Sequence, residues 1–343
     1  MENSIPYILE QLKQLTAIPS PSGYTDRAAD HLVQELSAMG YAPKKSVKGG
    51  VLVDLGGEGA GILVCAHLDT LGAVVCDILP SGRLRLSPVG GLQAANTETE
   101  NCTICTRFGG SYSGTFQLEN ASVHVNKDYA ATVRSFDNME VVLDEAVSSA
   151  NQTRALGIEV GDFVCFDPRT TVTESGYIKS RFLDDKLSAA ILLGYAKLLK
   201  EEGRVPARHV VLHFTVYEEV GHGGAGSIPA DAVDILGVDM GCVGNGLTCT
   251  EREVSICAKD SRGPFNYDLT TDLIRTAREK GLGYAVDVYP FYGSDVDVAL
   301  AAGHDLRHAL IGPGVYASHG YERSHVDGVK NTLSLLDAYL GTR

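Results

Sequence analysis

The stretch FLDDKLSAAILLGYAKLLK (182–200), followed after a short gap by HVVLHFTVYEEVG (209–221), decides the fold. Apolar residues recur through 184–200 at helical spacing, and the helix starts on paired aspartates. Residues 209–216 are an almost unbroken apolar run, the pattern of a strand covered on both faces. Upstream, VLVDL (51–55) and ILVCAH (62–67) are two more short apolar runs, joined by the Gly-rich turn GGEGAG. Ile5, Ile8, Leu9, Leu12 and Leu15 mark an amphipathic helix over 3–17, which PSPSG (19–23) stops. A second helix runs from Thr25 to Gly40. Further on, AVDVYP (285–290) reads as a strand and DGVKNTLSLLDAYL (327–340) as a closing helix. Helix and strand alternate, which predicts an α/β layer fold.

The texture changes between about 73 and 166. Short β-branched segments (AVVCDIL, RLRLS, CTICT, SGTFQL, SVHV, EVVL) are broken there by Gly, Ser and Asn, without helical periodicity. They predict a small inserted β domain, a barrel or a sandwich, over 73–166. The α/β domain then comprises 1–72 and 167–343.

Composition narrows the functional classes. The 343 residues carry 29 Lys+Arg against 43 Asp+Glu, a formal charge of −14. That mean field disfavours a nucleic-acid backbone or an anionic membrane as the main partner. No run reaches the roughly 18 apolar residues that span a bilayer. The start, MENSIPYILEQLKQL, lacks the basic region and unbroken apolar core of a secretory signal. With eight scattered cysteines, these features predict a cytoplasmic protein holding reduced thiols. Cys102 and Cys105 form a lone CxxC with no second pair at zinc-site spacing, so they read as buried thiols.

Acidic and histidine residues gather where strands should end, the place where open α/β sheets bind ligands. His67 and Asp69 lie in AHLDT, Asp184 and Asp185 in FLDDK, Glu218 and Glu219 in YEEVG, and Asp239 in GVDMG. Singly, each has a mundane reading as a helix cap, a solvated edge or a hydrogen-bonded core histidine. Jointly they suit two divalent metals sharing one carboxylate. His67, Asp184, Glu219, Asp239 and a late histidine would supply five ligands, leaving Glu218 free as a base. Mixed His and carboxylate ligation suits zinc first, with cobalt or manganese as alternatives. Asp69 would orient the His67 imidazole through its carboxylate.

These motifs, with PSPSG, PVGG (88–91), GDFVCFDP (161–168), YEEVGHGGA and GSD (293–295), resemble the glutamyl aminopeptidase family of dinuclear metallopeptidases, the tetrahedral or deblocking aminopeptidases. The resemblance covers nearly the whole chain. It implies a three-layer aminopeptidase-like α/β catalytic domain with an inserted β dimerisation domain. It implies that Asp184 bridges two ions, that His67, Glu219, Asp239 and a C-terminal histidine complete their coordination, and that Glu218 is the general base. Of His319 and His325, His319 fits the family's His-before-Glu pattern through Glu322. His222, His304 and His308 read as structural. Short peptides are the implied substrates, and dimers building a dodecamer the implied assembly. Aminoacylase-like dinuclear hydrolases place their extra domain after the paired glutamates. Here the long gap lies earlier, between His67 and Asp184, which favours the aminopeptidases. Two other classes stay open: an amidase or deacylase on small N-acyl compounds, and a non-catalytic binding protein on the same fold.

Overall fold

The computed structural model describes residues 4–341, and the chain divides into two compact units, Thr70–Pro168 and the remainder. In the larger unit, four parallel strands form the centre of a sheet of twelve strands among the described residues. Their order is Arg208–Thr215, Glu58–His67, Ala232–Val238, Arg307–Tyr316, with Val51–Gly56 antiparallel on the outer side of the first. Register pairs Thr215 with His67 and Val238 with Ile311, so three of the strands finish almost level at their carboxyl ends, while Arg307–Tyr316 runs on past them.

Side chains alternate across the sheet, and this builds three layers. Ile62, Val64 and Ala66 point into the larger core with Leu187, Ile191 and Leu333. Leu63 and Cys65 face the opposite side, with Ile235, Val296 and Ala299. The first core is roofed by helices Ser4–Ala17, Asp26–Ala38, Leu183–Glu201 and Val326–Leu340, and the second includes helix Asp295–Ala301. Helix Leu183–Glu201 is buried nearly all round, because the terminal helices cover the side turned away from the sheet. No helix among the described residues is long and apolar enough to cross a membrane.

The smaller unit is a closed barrel of six strands, in the order Gly72–Ile78, Leu84–Val89, Met139–Leu143, Ser111–Leu118, Asn101–Cys105, Phe163–Phe166. Val75, Leu84, Ile104, Phe116, Val141 and Val164 fill its interior. Five of the six β-branched segments form these strands. The sixth, SVHV, is instead a turn: the amides of Val125 and Asn126 bond back to the Ser122 carbonyl. Val123 and Val125 are exposed, and β propensity without a pairing partner or a covered face does not make a strand. The sixth strand comes from DFVCF, which lies beyond SVHV in the chain.

Candidate metal centre

The predicted site residues stand at the carboxyl ends of the parallel strands, as crevices of open α/β sheets do. His67 ends Glu58–His67, and Glu218 and Glu219 form a single turn just after Arg208–Thr215. Asp239 follows Ala232–Val238 directly, and His319 lies three residues beyond Arg307–Tyr316. Asp184 and Asp185 open helix Leu183–Glu201, but their backbone is not yet helical and the peptide between them is cis. Three segments turn sharply to bring these side chains together. Phe182, Tyr217 and His319 all hold left-handed φ, of 67°, 71° and 61°. Such strain in non-glycine residues persists where surrounding structure over-determines it.

Two glycines permit the approach. A Cβ on Gly312 would lie 1.5 Å from the Asp239 carbonyl oxygen, so only glycine lets that strand pass beside the Asp239 main chain. A Cβ on Gly224 would lie 2.1 Å from the Asp295 carbonyl oxygen. Asp295 is buried, accepts from the Gly224 amide at 2.6 Å and from the Thr215 hydroxyl, and so ties the turn after Glu219 to the end of its strand.

Asp184, Glu218, Glu219, Asp239 and His319 line one cavity of about 270 Å³, with Arg262, Tyr292 and Ser294. The two oxygens of Asp184 face different histidines: Oδ1 lies 2.9 Å from His67 Nε2, and Oδ2 lies 3.5 Å from His319 Nε2. His319 Nε2 is also 3.6 Å from Glu219 Oε2, and His67 Nε2 is 3.8 Å from Glu218 Oε2. Ligand atoms of His67, Asp184 and Glu219 lie within 4.8 Å of one another, as do those of His67, Asp185 and Asp239. His325 is engaged elsewhere. Its Nε2 bonds the Ser175 carbonyl at 2.9 Å, its Nδ1 accepts from the Asp327 amide, and its ring meets Tyr177 edge-on. His222 stacks on Tyr217, and His308 packs on Phe265.

Asp69 acts differently from the sequence expectation. Its main-chain oxygen holds His67 Nδ1 at 2.8 Å, while its nearer carboxylate oxygen is 3.8 Å away. The carboxylate accepts instead from the amides of Glu218 (3.1 Å) and Glu219 (3.4 Å) and from the Ser22 hydroxyl. Asp185, to which the motifs assign no role, is fully buried, accepts from the His67 amide at 3.2 Å, and keeps Oδ1 without a hydrogen-bond partner. Its signal was visible as the second acid of the DD pair.

So many acids in one buried place cannot all be ionised unaided. Burial pushes the carboxyls of Asp185, Glu218 and Glu219 well above the carboxylate range, and neighbouring acids add to this. Asp239 rises to about 7 through burial and the charge of Asp184. Asp184 is the exception: burial opposes its charge, but the His319 and His67 rings outweigh burial and hold it below the usual range. The hydrogen bond to Asp184 lifts His319 to about 10. Burial disfavours the His67 cation, yet Asp184, Glu218 and Asp239 raise it well above its ordinary value. A compact set of oxygen and imidazole donors, with buried oxygens of Asp185 and Glu219 lacking partners, fits divalent cations that would displace these protons.

Residues 49–335 match the M42 glutamyl aminopeptidase family. YhfE of Bacillus subtilis (strain 168), which bears an aminopeptidase name, is 41% identical over 345 residues, spanning 98% of each chain. The glutamyl aminopeptidase of Lactococcus lactis subsp. cremoris (strain MG1363) is 24% identical over 258 residues, 70% of this chain and 72% of its own. The same fold occurs in the TET1 peptidase of Pyrococcus horikoshii, with a TM-score of 0.86 at 23% identity over 97% of this chain and 99% of that one. It occurs again in an aminopeptidase of the archaeon Desulfurococcus kamchatkensis, with a TM-score of 0.88 at 22% identity over 98% and 95%. By the extent of the family match and the identity to YhfE, the chain belongs to the M42 glutamyl aminopeptidase family and is a metallo-aminopeptidase.

Proposed function

We propose that this enzyme removes N-terminal residues from short peptides with two divalent metal ions, zinc before cobalt or manganese. The observation that carries the reading is the splayed Asp184 carboxylate, one oxygen toward His67 and the other toward His319, whose Nε2 also faces Glu219. A carboxylate so placed suits a bridge, with His67 and Asp239 completing one position and Glu219 and His319 the other. The chemistry two such ions supply is a water of lowered pKa and a polarised scissile carbonyl. Glu218 takes a proton from the attacking water and returns it to the leaving amine nitrogen. A buried carboxyl with a raised pKa is matched to that exchange near neutral pH. Asp69 fixes the Glu218 and Glu219 amides, and through its carbonyl it fixes the tautomer of His67.

The Pyrococcus horikoshii TET1 peptidase assembles into a tetrahedron or a large octahedral shell. We extend a homo-oligomeric assembly to this chain, with the barrel Thr70–Pro168 as its dimerisation element and dimers building a dodecamer. The eight cysteines are all free thiols, in keeping with a cytoplasmic setting.

Metal-stripped protein assayed on aminoacyl-p-nitroanilides should be inactive and should recover with added Zn²⁺, Co²⁺ or Mn²⁺. N-acetylated versions of the same substrates should not be cleaved. Preferential cleavage of the blocked substrates would replace this reading with that of a deacylase or amidase. Hydrolysis that persists after complete metal removal would refute the metal mechanism.

A further inference from the structure

Glu322 touches two of the proposed ligands without belonging to the set. It is 2% exposed, and it begins strand Glu322–His325, where the ladder with Tyr177–Ser180 pairs it with Ser180. Its Oε1 accepts from the His319 amide at 3.0 Å, and its Oε2 accepts from the Asp184 amide at 3.1 Å. Both amides belong to backbone that cannot satisfy itself. Asp184 is at a helix start, where N–H groups lack intrahelical partners, and His319 sits in a left-handed turn. One carboxylate therefore spans two residues far apart in sequence, whose side chains meet at 3.5 Å on the cavity wall.

The arrangement mirrors Asp69, whose carboxylate holds the Glu218 and Glu219 amides. Two buried carboxylates thus hang four of the six site residues from their main-chain nitrogens. Asp69 serves the pair that contains the base, and Glu322 serves two metal-facing side chains.

We propose that Glu322 is a positioning residue for metal binding, a clamp that sets the Asp184 carboxylate and the His319 imidazole at the spacing two divalent ions require. This inference rests on the two-metal reading above. Partners that orient ligands commonly change metal affinity 10–100-fold when removed. A glutamine at 322 offers one oxygen and one NH2 group, so one of the two amides would face a donor. A methionine offers neither acceptor at similar volume.

The test strips metal from the full-length parent, Glu322→Gln and Glu322→Met. Each is titrated with Co²⁺ alone, following visible absorption, and the metal-free forms are melted in parallel. The expected result is roughly 10–100-fold weaker Co²⁺ binding in Glu322→Gln with an altered absorption envelope. Glu322→Met should bind more weakly still, while the metal-free melting temperatures stay close to the parent's. Parent-like affinity and spectrum in Glu322→Gln would overturn the clamp. A lowered metal-free melting temperature with unchanged affinity would overturn it too, by assigning Glu322 to the fold alone. If the parent binds no Co²⁺, the two-metal reading fails instead. Should neither variant fold, hydrogen exchange of the metal-free parent decides. Slow exchange at the His319 amide supports a closed clamp, and exchange at the rate of an open loop refutes it.

Discussion

Asp69→Asn separates two ways in which the HxD motif could act, because the structure gives main chain and side chain different tasks. If the carboxylate oriented the imidazole, the substitution would disturb His67 and release metal. In this structure the 2.8 Å bond to His67 Nδ1 comes from the Asp69 carbonyl, which asparagine retains. What asparagine loses is one carboxylate acceptor and the charge on two bonds, to the Glu218 amide at 3.1 Å and the Glu219 amide at 3.4 Å. The Ser22 hydroxyl can rotate to suit either group. A hydrogen bond to a charged group contributes about 1.5–3 kcal/mol. If that loss falls on the placement of Glu218, then at about 1.4 kcal/mol per decade kcat should fall roughly 10- to 100-fold. Metal content should remain at the parent's level. The assay pairs steady-state kinetics on an aminoacyl-p-nitroanilide with elemental analysis of the same samples. Loss of metal with kcat per bound metal unchanged would refute the reasoning and restore the imidazole-orienting role to the carboxylate.

Glu218→Gln should keep its metals and lose about 10²–10⁴ in kcat, the usual contribution of a positioned general base, as measured by steady-state kinetics beside metal analysis. Near-parent activity would remove Glu218 from that role. His213 is buried, and burial lowers its pKa from 6.5 to about 4, so the folded state holds it neutral while the unfolded chain takes up a proton. Stability should therefore be intact above about pH 6.5 and fall by up to about 3 kcal/mol as pH drops toward 4. Urea titrations should show a shallower acid loss in His213→Asn, and identical pH profiles would rule His213 out as the source. A Cβ on Gly194 would lie 2.3 Å from Ile8 Cγ1, where helices Ser4–Ala17 and Leu183–Glu201 cross. Gly194→Ala should thus destabilise by about 1–2 kcal/mol despite better helix propensity, and Ile8→Ala should relieve that clash non-additively in a double-mutant cycle.

What could be read from sequence follows the range of the interactions involved. Helix Leu183–Glu201 and strand Arg208–Thr215 were legible because their burial is written in contiguous residues at the helical period or in an unbroken apolar run. Strand Arg307–Tyr316 was not, although it lies near the sheet's centre. Its GPG reads locally as a turn, and the tertiary reason for Gly312 is an Asp239 carbonyl 1.5 Å from where a Cβ would be. The same division runs through the site. The residue types proposed to touch metal or water announce themselves at strand ends, because few chemistries use that set. The contacts that hold them do not, even where the residue itself, Asp69, stands out beside His67. Asp69 meets Glu218 across 149 residues and Glu322 meets Asp184 across 138, as side chain to main chain, and a backbone amide leaves no mark in the sequence. The acids read as chemistry were chosen by type, whereas Asp69 and Glu322 are assigned by what their oxygens reach. Substitutions at ligand positions therefore test the family likeness, and substitutions at the two amide-holding carboxylates test whether this fold builds the centre in the way its geometry indicates.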